Sequence, residues 1–323
     1  MMWSDTTKVF SLHAIVIGLL LALQFVLPEY HHNSVARVMV LATYAMGYNI
    51  LFGYTGLLSL GHAMFFGAGM YGVGLTVWWL DFSPLEAFGA GILASLVLAL
   101  LVGIVALRTT GVSFLIVTMM LAQAGYLAAI YFKDITSMPN SGSGLVISSK
   151  LRPLEIGSYQ FNLSHPDVRY NIALVVFSVC LLACLLLSRS PIGRILIAIR
   201  ENESRTLMLG YDTFKYKLLS LVISGVMAGV GGATYALLFS FVGITFLEIQ
   251  YSIHPLLWTL LGGIGTTIGP LVGSVLMYYL IDISSGLFQS YFFAVGAVLL
   301  IVVLWFRQGI VGTIRSKWIS WLP

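Results

Sequence analysis

The residues best suited to a specific role lie in the basic segment 188–217. Ser190 followed by Pro191 is a helix start, because serine caps a first turn and proline is tolerated at the first helical position. Beyond it, isoleucine and leucine recur at intervals of three and four, which gives an apolar stripe beside basic residues. The candidate contact residues are Ile192, Arg194, Ile195, Ile199, Arg200 and Glu201. Such a helix either rests on lipid or inserts into a cleft on a soluble partner, and the pattern leaves both open.

Two glycine-rich turns form a second group of candidates. Gly53-Tyr54-Thr55-Gly56 and Gly262-Gly263-Ile264-Gly265 interrupt apolar segments. Where such a turn breaks a helix inside the membrane, the N-terminus of the next half-helix favours a carboxylate, so a zwitterion is held without charged side chains. Glycines equally serve close helix packing, and aromatic residues on a span usually pack. The predicted substrate path contains Gly53, Gly56, Ser59, His62, Phe65, Gly262, Gly263 and Gly265.

Signatures of enzymes and metal sites are absent from the sequence. It has no G-x-x-x-x-G-K-[ST] loop for ATP, no H-E-x-x-H pair for zinc and no G-x-S-x-G nucleophile. Cys180 and Cys184 lie four residues apart in one apolar run, so they share a helix face, where they pack as small apolar residues. We therefore expect no enzyme activity, no metal and no cofactor bound by the chain itself.

The positions of the charged residues argue against ion coupling. Arg37, Glu86, Glu248 and Asp282 lie at or near the ends of predicted spans, and the middle of each confident span has no Asp, Glu, Lys or Arg. Ion-coupled carriers usually keep an ionisable residue at membrane depth. The energy for transport is therefore expected to come from another polypeptide.

These candidates must be positioned by membrane-spanning helices. The 323 residues are 59% hydrophobic and 9% charged, whereas soluble domains carry about 25% charged residues. The uncharged runs reach the length of a membrane helix and do not alternate, which excludes a soluble domain and a β-barrel. The sequence predicts an all-α polytopic membrane protein with one domain over 1–323 and about ten transmembrane helices. The predicted spans are 10–27, 35–54, 58–80, 85–107, 112–132, 170–188, 218–242, 252–264, 267–284 and 291–306.

Part of this assignment stays open. The stretch 252–284 is interrupted by glycines, so it forms either two short helices or a re-entrant segment and one span. The two halves also show a weak inverted repeat, since Ser59-Leu60-Gly61-His62 and Ser252-Ile253-His254-Pro255 each lead into a glycine-rich segment. The match is short, and the repeat is a hypothesis.

The cations predict the orientation. Segment 188–217 carries six Lys or Arg, while the longer 133–169 loop carries four, and cytoplasmic loops are enriched in these residues. We expect 188–217 in the cytoplasm, 133–169 outside as a small cap and, with ten spans, both termini in the cytoplasm. The first span is expected to stay uncleaved. The net charge of +4 reflects topology and indicates no nucleic acid.

Several blocks resemble the LivM-type subunit of branched-chain amino-acid ABC permeases. The main block, S-P-I-G-R-x-L-x-A-I-R-E-N-E, covers residues 190–203 and is followed by L-G-Y at 209–211. The other similar blocks are 49–71, 108–111, 223–229, 261–266 with Gly269-Pro270, and 307–312. They run in order from about residue 38 to 312, and this ordered spacing carries the resemblance.

The resemblance implies a type II-like ABC importer permease in a bacterial-type inner (cytoplasmic) membrane. The implied partners are a LivH-type sister permease, an external substrate-binding protein and two cytoplasmic ATPases, which bind ATP and Mg²⁺ and dock on the coupling segment 188–217. The implied substrates are branched-chain or other apolar amino acids, with urea, short amides or aromatic acids as the alternative. His254 and Ile268 stand where the family commonly has an acidic residue and a large aromatic, which leaves the substrate open.

Two further hypotheses remain. One is a passive channel for a small neutral solute, and the other is a membrane subunit without a transport role. Neither needs the amphipathic 190–207 block.

Overall fold

Long apolar helices make up most of the chain. The computed structural model describes residues 2–138, 144–156, 159–287, 293, 296–297, 299–300, 304–306 and 308–318. In chain order its helices are α1 (Met2–Val26), α2 (Glu29–Asn49), α3 (His62–Leu80), α4 (Pro84–Ala106), α5 (Val112–Tyr131), α6 (Lys133–Thr136), α7 (Pro166–Arg189), α8 (Pro191–Glu201), α9 (Glu203–Met208), α10 (Thr213–Phe239), α11 (Ile249–Gly262), α12 (Gly269–Leu287) and α13 (Ile310–Lys317). Four short strands accompany them, β1 (Gly144–Val146), β2 (Leu154–Ile156), β3 (Tyr159–Phe161) and β4 (Phe241–Gly243).

Seven helices of the described part, α1 to α5, α7 and α10, are long and apolar enough to cross a membrane. They coincide with the first seven predicted spans, although α1 begins eight and α2 six residues before the predicted starts. The prediction of an all-α polytopic membrane protein is confirmed. The predicted span 291–306 falls largely on residues outside the described part.

Local capping sets where several helices start. Ser83 precedes Pro84, and both its backbone nitrogen and its hydroxyl donate to Glu86 Oε2, at 2.9 and 2.8 Å. At the start of α10, Asp212 Oδ1 accepts a hydrogen bond from the Lys215 nitrogen at 3.2 Å. The hydrogen bonds with Lys215 hold the pKa of the Asp212 carboxyl below its ordinary value. Each cap satisfies backbone donors that a helix start leaves unpaired.

The centre of the bundle is formed by α2, α3 and α10. In the most apolar stretch of each helix, 83% of the residues are buried in α2, 61% in α3 and 72% in α10. The corresponding values are only 17% in α1 and 22% in α5. The outer helices expose apolar side chains, which suits contact with lipid or with another membrane subunit. Glycines let α3 and α10 approach closely, since a Cβ added at Gly69 would come within 2.0 Å of the Gly229 carbonyl oxygen.

The chain between Ser240 and Gly269 departs from the predicted spans. The end of span 218–242 was predicted three residues too late, because Ser240 with φ 52° ends α10 and the chain continues as β4 and a 3₁₀ turn, Ile244–Leu247. Helix α11 has 14 residues, which is about 21 Å and shorter than the hydrocarbon layer. Its first turns lie beside the start of α3, where the Ala63 nitrogen donates to Ser252 Oγ at 2.9 Å. The stretch 252–284 is therefore a half-length helix followed by a longer one, α12.

Helices α7 and α10 place the 133–169 loop and segment 188–217 at opposite ends of the bundle. Helix α7 leaves the loop and ends at Arg189, next to α8. Helix α10 follows α9 and ends beside β4, which pairs with β1 of the loop, Gly144 opposite Gly243. We call these two ends the loop side and the α8 side.

Both ends of the described chain lie on the α8 side. The Arg189 guanidinium carbon is 6.0 Å from the centroid of the Phe10 ring of α1. On α13, Arg315 Nη1 donates to the Gly265 carbonyl oxygen in the break before α12, at 3.2 Å. A chain that crosses a membrane an even number of times has both ends on the same side, and the predicted number of ten spans is even.

The two segments that suggested an internal repeat do not occupy equivalent positions. Ser59-Leu60-Gly61-His62 precedes α3, whereas Ser252-Ile253-His254-Pro255 lies inside α11. They nevertheless meet, through the hydrogen bond from Ala63 to Ser252.

From the close contact of α3 with α10 we expect that one added methyl group at Gly232 strongly lowers the stability of the protein. In Gly232→Ala the new Cβ would lie 1.9 Å from the Phe66 carbonyl oxygen, and the helix backbones must separate. We expect a loss of about 1–3 kcal/mol of stability, as for overpacked cores, measured as a lower midpoint of thermal aggregation in detergent. Gly125→Ala on α5 is the control, because no heavy atom lies within 4 Å of its added Cβ. Equal midpoints for the two variants would show that the close approach is not required.

Candidate functional site

The amphipathic segment on the α8 side is a helix pair whose start and end were correctly predicted. Ser190 Oγ accepts a hydrogen bond from the Gly193 nitrogen at 3.1 Å, and Pro191 is the first helical residue of α8. Asn202 caps α9 in the same way through the Arg205 nitrogen, at 2.9 Å. Gly210, with φ 90°, follows the end of α9.

The apolar residues of α8 divide between two faces. Leu196 and Ile199 are buried against the bundle, with 1% and 4% of their surface exposed. Ile192 and Ile195 are half-buried, while Arg194 and Glu201 are exposed. The side chain of Ile199 therefore holds α8 to its own chain, and the outer face is left to Arg194 and Ile195.

The outer face of α8 forms a groove with α9. This groove, which we call the α8–α9 groove, has a volume of about 330 Å³, and its lining includes Pro191, Arg194, Ile195, Ala198, Leu209 and Tyr211. Next to it Leu207, Met208 and Leu209 expose 59%, 85% and 71% of their surface. Adjacent exposed apolar residues of this size mark a surface that contacts lipid or another protein.

Arg200 connects α8 to the end of α2. Helix α2 continues past Asn49 into a π-helical turn, Ile50–Tyr54. The Arg200 guanidinium donates to the Gly53 carbonyl oxygen in this turn. A cation at this position also stabilises the negative end of the helix dipole. The aliphatic part of Arg200 packs on Gly56, where an added Cβ would lie 2.9 Å from Arg200 Cγ.

The two glycine-rich turns meet at the side chain of Asn49. Its Nδ2 donates to the Thr266 carbonyl oxygen and its Oδ1 accepts from the Gly265 nitrogen, both at 2.9 Å. Gly265 has φ 69°, which favours glycine. We call Asn49, Gly53, Arg200, Gly265 and Arg315 the break cluster.

The sequence analysis missed Asn49 and Arg315 of this cluster. The sequence did contain a signal that could have identified Asn49, because its amide side chain lies in an apolar run just before a glycine-rich turn. A buried amide needs partners, and a broken helix end offers them.

The predicted path residues fall into two groups. Gly53, Gly56 and Gly265 lie in or beside the break cluster on the α8 side, and Gly262 and Gly263 end α11 next to it. Ser59, His62 and Phe65 are buried among α2, α3 and α10.

The second group is held by hydrogen bonds and packing. His62 Nε2 is 2.7 Å from Ser224 Oγ, which donates to the Gly47 carbonyl oxygen at 2.5 Å. Tyr48 donates to the Ser59 carbonyl oxygen at 3.1 Å. A role of these residues in a substrate path stays a prediction.

A separate pocket opens on the loop side, between α2, α10, α11 and α12. We call it the loop-side pocket; it has a volume of about 300 Å³, and its lining includes Arg37, Tyr235, Tyr251, Trp258, Tyr278 and Asp282. Helix α2 begins at Glu29, six residues before the predicted start of the span at 35. Eight residues place Arg37 about 12 Å into the helix.

The described residues contain no cluster of three or more His, Cys, Asp or Glu that could hold a metal ion. Cys180 and Cys184 are both free and buried. The expectation that the chain binds no cofactor of its own stays a prediction.

The chain is similar to known membrane permeases over most of its length. The family model described as branched-chain amino acid transport system, permease component, matches residues 30–304. The high-affinity branched-chain amino acid permease protein LivM of Salmonella typhimurium is 25% identical over 325 residues, which cover 96% of this chain and 76% of that protein. LivM of Escherichia coli is 26% identical, over 86% and 69% of the two chains. The permease protein LivH of Salmonella typhimurium is 24% identical, over 87% and 94%. No solved structure gives a significant match.

The break cluster predicts that Asn49 stabilises the turn before α12. Asn49→Ala removes the partners of the Gly265 amide and the Thr266 carbonyl, and each buried unpaired group costs about 1–3 kcal/mol. We expect amide hydrogen exchange in a peptide covering 260–272 to become faster by about tenfold or more. Asn171→Ala is the control, because Asn171 is exposed and bonds only within its own helix, to the Asp167 carbonyl. Unchanged exchange in Asn49→Ala would contradict the assignment.

Proposed function

Since the chain belongs to the family of branched-chain amino acid transport system permease components, we propose that it is the LivM-type membrane subunit of an ATP-driven importer. In this function the chain forms half of a translocation unit, and ATP is hydrolysed by separate subunits. Its substrates are branched-chain amino acids, as the names of the LivM and LivH relatives state for those proteins.

The observation that carries the proposal is the bond from Arg200 to the Gly53 carbonyl. It joins a helix on the α8 side to the point where α2 breaks, and α2 is among the most buried helices of the bundle. A motor that binds α8 therefore has a direct mechanical path to the core. A channel has no need of this path.

The proposed partners follow from the two exposed features of the α8 side. The α8–α9 groove and the exposed Leu207, Met208 and Leu209 form an apolar surface beside Arg194, suited to an ATPase subunit that binds ATP and Mg²⁺. The similarity to both LivM and LivH supports pairing with a related sister permease. A substrate-binding protein is then expected at the loop side.

The proposed location is the cytoplasmic membrane, with the α8 side in the cytoplasm. This orientation rests on the six cations of segment 188–217 and places both termini inside.

The groove predicts that Ile195 is needed for ATPase binding. Ile195→Asp puts an unpaired charge into an apolar interface, which costs at least a few kcal/mol and weakens association by about a hundredfold or more. The ATPases should be lost during purification, with no substrate-stimulated hydrolysis, while the chain still accumulates in the membrane.

Ile199→Asp is the matched comparison, one turn further along the same helix. Because Ile199 is buried in its own chain, this change should lower the amount of folded permease and not only its ATPase content. Both ATPases retained at full activity in Ile195→Asp would remove the support for a coupling role. An aspartate that only detaches α8 from lipid would leave the ATPases bound.

The orientation is tested with cysteines at two exposed positions, Ser204→Cys in α9 and Ser149→Cys in the 133–169 loop. In intact spheroplasts an impermeant thiol reagent should label Ser149→Cys and spare Ser204→Cys until the membrane is opened. The unmodified chain is the control, since its two cysteines are buried. Labelling of Ser204→Cys in sealed cells would reverse the topology. Ser143, the alternative position in this loop, lies outside the described residues.

A further inference from the structure

The loop-side pocket is built by regularly spaced residues of several helices. Tyr251, His254 and Trp258 follow one face of α11 at intervals of three and four. Tyr278 and Asp282 follow one face of α12 in the same way. The pocket lies at the end of α10 near the 133–169 loop, because Arg37 stacks there on Phe239, the last residue of α10.

In the described part of the chain, Arg37 brings a positive charge without an anionic partner. Its guanidinium carbon lies 4.8 Å from the ring centroid of Phe239 and 5.9 Å from that of Tyr235. Its Nε is buried and has no hydrogen-bond partner, and among the described residues no ion pair involves Arg37. A half-buried guanidinium held between aromatic rings is a fork-shaped donor for a carboxylate or a phosphate.

Asp282 brings the opposite charge to the same pocket. It is exposed, and within the described part of the chain it forms no ion pair, including with Arg37. The two charges thus line one cavity without forming an ion pair with each other. A ligand that carries both an anionic and a cationic group fits this arrangement.

The remaining wall is apolar and aromatic. Leu41, Trp258 and Ile281 line it, and His254 is stacked on Trp258 with ring centroids 5.7 Å apart. The volume of about 300 Å³ is at the small end for ligand sites. It suits a small molecule with one aliphatic side chain.

We propose that the loop-side pocket binds the zwitterion of an α-amino acid with an apolar side chain, with its carboxylate on Arg37 and its ammonium group at Asp282. The proposal rests on the proposed import function and assigns a receiving site for the substrate on the side where it is delivered. The same pair of charged residues also fits one other ligand, a zwitterionic lipid head group with its phosphate and ammonium groups. The test separates the two.

The test follows the reactivity of a cysteine placed in the pocket. Ser285, which lines it and is exposed, is changed in Ser285→Cys. The full permease–ATPase complex is reconstituted in vesicles without a binding protein and treated with a sulfonate-bearing methanethiosulfonate. Millimolar leucine should slow the modification several-fold. Leucinamide, which lacks the carboxylate, and 4-methylpentanoate, which lacks the amine, should not.

Charge-removing variants test the two contacts in the same background. Arg37→Gln should raise the leucine concentration for half-protection by about tenfold to a hundredfold, the range for loss of a charge-assisted hydrogen bond, and Asp282→Asn should raise it in the same direction. Lys133→Gln and Asp134→Asn, exposed changes on the same side of the bundle, are the matched controls and should leave it unchanged.

Arg37→Lys keeps the charge and is the second variant if Arg37→Gln does not accumulate. It should retain protection by leucine with a weaker affinity, because lysine cannot reproduce the fork geometry.

Each other outcome overturns the assignment. Equal protection by leucinamide, unchanged protection in Arg37→Gln, or no protection by leucine would exclude an amino-acid site here. Slow labelling that depends on phosphatidylethanolamine in the vesicle and not on leucine would assign the pocket to lipid. The proposed import function fails separately, when the unmodified complex with its binding protein shows no ATP-dependent leucine uptake.

Discussion

The hydrocarbon layer offers no hydrogen-bond partners, so every break in a membrane helix must be satisfied inside the protein. This constraint accounts for the buried polar side chains. Asn49 pairs the turn before α12, and Ser252 accepts from the first turn of α3. Thr55 Oγ1 lies 2.5 Å from Ser220 Oγ, directly after the π-helical turn. Several polar residues thus lie where the helices are interrupted, while the buried Ser95 and Thr118 of the uninterrupted helices α4 and α5 bond to carbonyls of their own helix.

The same breaks connect the two ends of the molecule. Helix α2 carries Arg37 in the loop-side pocket and Asn49 in the break cluster, twelve residues further on and about 18 Å away. Helix α11 carries Tyr251 and Trp258 in the pocket and ends at Gly262, beside the same cluster. Two walls of the pocket are therefore rigid helices that end where Arg200 of α8 bonds. Helix α2 thus runs from the pocket to the turn that Arg200 bonds without an intervening loop.

The sequence predicted what depends on neighbouring residues. Uninterrupted apolar runs located the first seven spans, and Ser190, Pro191 and Gly210 located the helix pair of the α8 side. It did not predict the pairing of the Gly53 and Gly265 turns, because they are over two hundred residues apart and only tertiary packing brings them together. The start of α2 was predicted too late for a different reason. A hydropathy pattern ends near a charge, whereas α2 continues past Arg37 to Glu29, and aromatic rings cover the guanidinium.

The sequence also predicted the apolar periodicity of α8 correctly. It did not predict that these apolar residues lie on two faces of the helix with different surroundings. A repeat at three and four shows that residues share a side of a helix, but it does not show what covers that side. In the structure Leu196 and Ile199 are covered by the bundle, and burial of each such side chain contributes about 1.5–3 kcal/mol. Together with the bond from Arg200 to Gly53 they fix α8 to the break of α2. The half-buried Ile195 and the exposed end of α9 then form the side available to a partner. A helix held in this way is attached to the membrane core of its own chain, unlike a helix that rests only on lipid.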